Sequence, residues 1–450
     1  MSSAEPVDAA PVSLTARPAT QLTGEIKVPG DKSISHRALM LGGLAVGPTR
    51  ITGLLLGEDV LATGRAMEAL GSEVVREADA WYVHGRGVGG LAEPDDVLDL
   101  GNSGTSARLL LGVIGAQPIT AFVTGDASLR RRPMRRVTEP LSRMGARFVT
   151  RSGERLPLVV NGAVEPLPGT HELSVASAQV KSAILLCGLN ARGETRIVEP
   201  QDTRDHTERM LSAFGANVEV FRRDDGRRET RLTGQPELIG RPVVVPSDPS
   251  SAAFPLVAAL LIPDSVVRLP GIGVNPHRTG LFETLREMGA DLTVENERDE
   301  AGEPVADLVA RASPLRGVSV PSKRAPSMID EYPILAVAAA CATGRTVMHG
   351  IGELRVKESD RLAAMAEGLS ACGVEVEAGE DWLAIEGCGG SPAGGARVTT
   401  RLDHRIAMSF LVLGLASREG VSVDDAGPIE TSFPRFIDCM QGLGAAIGQD

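Results

Sequence analysis

Aromatic side chains are nearly missing from this sequence, at 3% of 450 residues. Stacking platforms for nucleic acid need more of them, so that mode of binding is excluded. Excess positive charge is lacking too: 46 Lys and Arg face 58 Asp and Glu, a formal net charge of −12. That balance argues against broad binding to nucleic acid or to acidic membrane surfaces. A small anion stays open as a ligand, because it responds to charges within a few ångströms and screening removes the rest. Any anion site must then be a local gathering of Arg and Lys.

Cysteine is sparse. Cys187, Cys341, Cys372, Cys388 and Cys439 are odd in number and form no Cys-x-x-Cys pair, which points to reduced, structural thiols in a cytoplasmic protein. Residues 1–20 have no basic stretch followed by an apolar run, so no secretory signal is read there; their Ala, Pro and Ser content predicts a disordered tail. No apolar run reaches the ~18 residues of a membrane span. The longest, around Ile334 to Ala342, predicts a buried helix.

What the chain holds in quantity is small and apolar: 42% hydrophobic residues and 51 glycines. Its length suffices for two or three domains with a large core. It also repeats itself six times. One marker is a helix end closed by glycine: Leu70-Gly71-Ser72, Met144-Gly145-Ala146, Phe214-Gly215-Ala216, Met288-Gly289-Ala290, Cys372-Gly373-Val374 and Leu443-Gly444-Ala445. Glycine just past a helix takes positive φ without a Cβ clash, so it is the expected stop. A second marker lies between the first ones. Stretches rich in Ser, Asp and Asn open small-residue helices near Asp31, Asn102, Ser177, Ser247, Asp330 and Asp403. Both series recur at roughly 70 to 85 residues, right for a folded βαβαβ-type unit and too long for a common solenoid. The predicted class is α/β, in two domains of three units, the second opening near Pro246. The leader around Gly24 to Val28 could pair with either.

The helix starts carry the chemistry. Unpaired N–H groups and the positive end of the helix dipole attract phosphates and carboxylates. The six openings hold Lys32, Ser33 and Arg37; Asn102, Gly104 and Thr105; Ser177 and Gln179; Ser250 and Ser251; Asp330; and His404 and Arg405. If the units converge, these face one cleft; if not, they are plain N-caps. Ser33 and Arg37 are one helical turn apart with Lys32 beside them, which makes an anion cradle or a solvated basic patch. In Arg355-Val356-Lys357-Glu358-Ser359-Asp360-Arg361 a carboxylate stands between two cations. That suits acid–base work at an anion site or a salt-bridged surface helix. The run Arg130 to Pro133 is a third cationic cluster, a phosphate ligand or an exposed basic loop.

Together, Gly30-Asp31-Lys32-Ser33-Ile34-Ser35-His36-Arg37, Gly101-Asn102-Ser103-Gly104-Thr105, Arg132-Pro133-Met134, Ser177-Ala178-Gln179, Arg355 through Arg361 and Asp403-His404-Arg405 resemble the signature segments of the EPSP synthase family, in the family's order. The resemblance implies a two-domain inside-out α/β barrel, each domain three βαβαββ repeats. The division it implies is a disordered tail over 1–20, a first lobe over 31–245, and a second lobe over 21–30 with 246–450. The implied reaction belongs to the shikimate pathway of aromatic amino-acid biosynthesis. The 5-hydroxyl of shikimate 3-phosphate adds to phosphoenolpyruvate and phosphate is then eliminated, with no metal or organic cofactor.

By matched position, the resemblance has Asp330 take the hydroxyl proton and Glu358 exchange the proton at C3, with Lys32 sharing that work. Lys32, Ser33, Arg37, Ser177, Ala178, Gln179, Arg204, Asp330 and Lys357 would hold shikimate 3-phosphate. Lys32, Gly104, Arg132, Gln179, Arg361 and Arg405 would hold phosphoenolpyruvate. The implied protein is a cytoplasmic monomer and a glyphosate target, which takes these small molecules and neither nucleic acid nor membrane.

The chain departs from part of the family. Many members carry a lysine just before Thr-Phe-Pro near the C-terminus, and Thr431-Ser432-Phe433-Pro434 has none. Some glyphosate-tolerant members have alanine where this chain has Gly104, so room for that inhibitor is expected. One rival is the sister enzyme that acts on UDP-N-acetylglucosamine; it usually carries a reactive cysteine in its first domain, whereas the first here is Cys187. Another is a non-catalytic phosphate-binding homologue, which would not need Asp330, Lys357 and Glu358 as proton carriers.

Overall fold

The structure is a computed structural model that describes residues 11–300 and 302–449. Six of its helices are apolar on nearly every side, and such a helix is stable only when buried. They are Lys32–Leu44, Gly104–Gly115 and Ala178–Gly188 in one lobe, and Pro249–Leu261, Tyr332–Cys341 and His404–Ala416 in the other. Every residue from Pro249 to Leu260 is buried. Alanine, glycine and serine are interleaved with leucine along them, so they pack closely at the centre of each lobe and leave the sheets outside.

Six four-stranded sheets cover these helices. One is typical: Leu98–Asp99 pairs parallel with Thr120–Thr124, and Arg155–Asn161 pairs antiparallel with both Thr120–Thr124 and Arg147–Arg151. A buried helix makes the parallel crossover and an amphipathic one the return, which gives the order βαβαββ. The six glycines that close the outer helices all have positive φ, from 80° at Gly373 to 107° at Gly145. Each is followed directly by a strand.

Two sheets are completed from far along the chain. Thr23–Glu25 pairs parallel with Val266–Gly273, and Val243–Val244 pairs parallel with Pro48–Thr52. The chain therefore passes between the lobes twice, and the two passing segments pair with each other. Asp31 N–H donates to the Pro246 carbonyl and Asp248 N–H to the Pro29 carbonyl, both at 2.8 Å. Only glycine fits at position 30, where a Cβ would lie 1.9 Å from the Gly53 carbonyl oxygen. One hydrophobic core runs from Ile34 to Val245, and the other joins Leu14, Ala16, Leu22 and Val28 to Ala252 through Ile447.

The disordered tail predicted for residues 1–20 needs correction. Residues 1–10 lie outside the described residues. Leu14–Arg17, however, is a strand inside the last sheet, antiparallel to Val421–Val423 on one side and Ala446–Gly448 on the other. Leu14 and Ala16 are buried, and the Thr15 hydroxyl bonds to that of Ser422 at 2.6 Å. The sixth unit lacks one strand of its own, and this distant segment supplies it.

Deleting residues 1–18 would bare the facing edges of both neighbouring strands and uncover part of the core. The truncated protein is expected to lose at least about 2 kcal/mol of stability, seen as a lower urea midpoint. An unchanged midpoint would show that the strand contributes nothing.

Candidate active site

Between the lobes lies a cavity of about 570 Å³. Its walls bring together the catalytic and ligand-holding residues that the resemblance implies, Lys32, Ser33, Arg37, Gly104, Arg132, Ser177, Ala178, Gln179, Arg204, Asp330, Lys357, Glu358, Arg361 and Arg405, whereas Asn102, Ser251, Arg130, Arg131 and Arg355 lie outside it. Helix capping explains the convergence. Asp31 accepts the Ile34 N–H at 2.9 Å, Ser103 that of Ser106 at 3.1 Å and Ser177 that of Val180 at 3.4 Å. Asp248 and Asp403 cap their helices likewise, each at 3.0 Å. Five of the six core helices thus turn a capped start to one space. The sixth, Tyr332–Cys341, has no side-chain cap, so Asp330 just before it is left for other work.

Asp330 stands among cations. Arg204 Nη2 is 2.8 Å from its carboxylate, Arg361 Nη1 3.4 Å and Lys357 Nζ 3.7 Å. Burial alone would raise its pKa, but Lys357, Arg204, Arg405 and Arg361 hold it well below the usual carboxylate range. Glu358 lies 2.5 Å from Arg361 and 3.5 Å from Arg132. Burial pushes it up as well, and Arg361 and Arg132 outweigh the push, so it is ionised too. Arg361, 1% exposed, is fixed from behind by Asp403 at 2.8 Å. Burial drives His404 down to about 3, so its ring is neutral at pH 7.

The remaining predicted residues are held just as firmly. Arg37 donates to Thr207, Ser182 and the Ser33 carbonyl at 2.7–2.8 Å; burial lowers its pKa to about 10, which leaves it charged. Gln179 accepts from Arg108 at 2.7 Å and donates to Thr105 at 3.1 Å. Arg132 donates to Asn102 at 2.6 Å, and Arg405 to the Asp330 carbonyl at 3.1 Å. Lys32 forms an ion pair with Asp59.

Sequence reasoning missed Asp59, Arg108, Arg136, Arg278 and Glu353, which wall the same cavity. Arg108 is one turn beyond Gly104, and helical spacing was the signal that could have found it. Arg278 and Asp59 lie in no motif. Arg136 and Glu353, 3.0 Å apart, link the lobes, as do His206 and Glu303 at 2.8 Å and Asn275 and Asp205 at 2.7 Å. Thr431, the position without lysine, ends a turn that packs on the Glu58–Ala69 helix of the other lobe. Among the described residues, no group of three or more His, Cys, Asp and Glu could hold a metal ion.

A cationic cavity between two lobes of helix-centred α/β units, with two ionised carboxylates inside it, is a site for small anions on a fold that an enolpyruvyl transferase shares. The enolpyruvyl transferase NikO from Streptomyces tendae shares this fold, with a TM-score of 0.77 at 18% identity over 98% of this chain and 99% of its own. The family model for EPSP synthase (3-phosphoshikimate 1-carboxyvinyltransferase) matches residues 16–440. The 3-phosphoshikimate 1-carboxyvinyltransferase of Paramagnetospirillum magneticum is 64% identical over 438 residues, covering 97% of this chain and 98% of that protein. The solved EPSP synthase of Acinetobacter baumannii aligns with a TM-score of 0.86 and 44% identity, over 97% of this chain and all of that one. The chain belongs to the EPSP synthase family and carries its activity, transfer of a carboxyvinyl group to 3-phosphoshikimate, in the shikimate pathway.

Arg278 supplies a test of how the lobes are joined. It is 4% exposed and shared between Asp31 and Asp248, at 2.8 and 2.9 Å. Burial favours protonation of both acids; Arg278 overrides it for Asp31, which titrates below its ordinary range, whereas burial and the Asp31 charge push Asp248 up. A carboxyl held low contributes stability above its unfolded pKa of ~3.9, and that stability is lost as pH falls. Arg278→Leu is expected to cost about 3–5 kcal/mol at neutral pH, with the deficit already smaller at about pH 4, because burial raises the stranded acids and they take protons as pH falls. Urea unfolding at both pH values checks this, and equal midpoints at pH 7 would refute it.

Proposed function

We propose that the cavity runs an addition–elimination in which shikimate 3-phosphate and phosphoenolpyruvate meet between the lobes. The observation that carries this is the pair of ionised carboxylates, Asp330 and Glu358, both bonded to the Arg361 guanidinium. Beyond balancing the buried Arg361 guanidinium, carboxylates at the wall of an anion site repel the ligand, and proton transfer gives them a further use.

Asp330 is ionised and accepts the proton of the 5-hydroxyl as its oxygen bonds to C2 of phosphoenolpyruvate. Glu358 has the harder task, since it must first deliver a proton to C3. Arg361 and Arg132 hold its pKa low. The carboxylate and phosphate of phosphoenolpyruvate would occupy those same cations, weaken their pull on Glu358, and leave burial to raise its pKa. Substrate binding thus makes the acid. Glu358 then takes a proton back from C3, the electron pair forms the C2–C3 double bond, and the bond from C2 to the phosphate oxygen breaks.

Ser33, Arg37, Ser177, Ala178 through its N–H, Arg204 and Lys357 hold shikimate 3-phosphate. Gly104, Arg132, Arg361 and Arg405 hold phosphoenolpyruvate, and Lys32 and Gln179 reach both. Arg108 and Arg136, in the same wall, supply positive charge that the chain lacks at Thr431. A monomer suffices for this reading, and the free thiols fit a cytoplasmic enzyme. Its −12 charge fits small-molecule substrates and neither nucleic acid nor a membrane; no described helix is long and apolar enough to cross a membrane.

Asp330→Asn and Glu358→Gln should each lower turnover about 10²-fold or more, measured as phosphate released from phosphoenolpyruvate only when shikimate 3-phosphate is present. Near-normal turnover in both would remove these roles, and release with UDP-N-acetylglucosamine as acceptor would replace the substrate. Gly104 bears on inhibition by glyphosate, which is longer than phosphoenolpyruvate. A Cβ there would lie 2.9 Å from Arg132 Nη1 and 3.2 Å from Arg108 Nη1, so one of them must give way. Gly104→Ala should raise the glyphosate inhibition constant at least about tenfold, the crowding being of order 1–3 kcal/mol. An unchanged constant would reject the role.

A further inference from the structure

Arg132 enters the catalytic cavity, while the two arginines before it line a different hollow. Leu129–Arg131 is a single tight turn. Asp126 ties its start, accepting the Leu129 N–H through its side chain at 2.7 Å and the Arg130 N–H through its carbonyl at 3.0 Å. Facing it is the tip of the hairpin formed by Arg147–Arg151 and Arg155–Asn161. The main chain pins the two segments together: Met134 N–H donates to the Glu154 carbonyl at 2.8 Å, and Pro133 bridges Arg155.

Between them is a hollow of about 280 Å³, lined by Ala127, Arg130, Arg131, Arg151, Ser152 and Arg155. No acidic side chain lines it. Nearby Arg132 and Arg135 reach Asn102 and Glu154, whereas the four arginines of the hollow have no side-chain hydrogen bond or ion pair among the described residues. In a chain of net charge −12 this is a local reversal of sign, and four exposed like charges facing one hollow attract an anion there.

We propose that this hollow is a second anion site, separate from the catalytic cavity, which takes a phosphoryl group, either free or on a small organic molecule. Guanidinium forks match the oxygens of such a group, and two segments offer them from facing sides. The volume falls just under the roughly 300–1,000 Å³ of ordinary organic-ligand pockets, so the ligand has few atoms beyond the phosphate. An anion bound there ties the Arg130–Arg131 turn to the hairpin. It thereby steadies Arg132, the next residue, whose guanidinium lies 3.5 Å from Glu358.

The probes are inorganic phosphate and glycerol 3-phosphate, titrated calorimetrically into the full chain and into Arg151→Gln/Arg155→Gln. Both substituted residues are exposed and outside the catalytic cavity. The wild type should show two classes of phosphate site. The double variant should keep one, with the other weakened at least about tenfold by the loss of charge-assisted bonds. Equal affinity for the two probes in the outer class identifies the phosphoryl group alone as the ligand, and tighter binding of glycerol 3-phosphate identifies an organic phosphate. A single class of site in the wild type would overturn the proposal. So would an equal loss in Arg397→Gln/Arg418→Gln, a control pair of exposed arginines elsewhere, because a diffuse basic surface would then account for the binding.

Discussion

A guanidinium that is 1% exposed loses its hydration and is costly to bury unless carboxylates offset that loss, and Arg361 has three: Asp403, Glu358 and Asp330. Each comes from a different stretch of the second lobe. Asp403 caps one core helix, Asp330 precedes another, and Glu358 precedes the helix that Arg361 itself begins. The charge balance of this one residue therefore sets the spacing of three elements. It also leaves two ionised carboxylates in the wall of the cavity. Arg278 repeats the device where the chain crosses between lobes, joining Asp31 of one capped helix to Asp248 of another. Buried arginines hold the frame, and Arg37, Arg132, Arg278 and Arg361 among them also face the cavity.

Much of this was legible in the sequence because it depends on local chemistry. A glycine that ends a helix must have positive φ, and all six marker glycines do. An Asp or Ser that opens a small-residue helix reads as a cap, and Asp31, Ser177 and Asp403 are caps. Since the caps aim the helices and the helices carry the cations, the site was readable wherever its residues followed a cap. Asp59, Arg278 and Glu353 were not readable. Their roles come from neighbours far off in sequence, as when Arg278 bonds Asp31 across 247 positions. Leu14–Arg17 escaped notice for a similar reason. Four residues of mild alternation mean little until their partners are known, and the Ala and Pro around them suggested a tail.

The scarcity of aromatics finds its explanation in the inverted layering. Helices that meet at a lobe's centre need narrow contacts, and alanine and glycine provide them where a ring would hold the axes apart. Three of the few rings form one cluster, where Phe436 lies edge-on to Phe433 at 5.3 Å and to Phe254 of a core helix at 6.1 Å. That cluster backs the turn ending at Thr431, which rests on the opposite lobe.

The strand Leu14–Arg17 also has a consequence for how the protein is made. During synthesis Thr15 leaves the ribosome early, yet its partner Ser422 follows 407 positions later. The lobe built on Ile34 to Val245 can close around its own core while translation continues. The other must keep an unpaired, half-apolar segment waiting until almost the whole polypeptide has emerged, so the first piece out is among the last to settle.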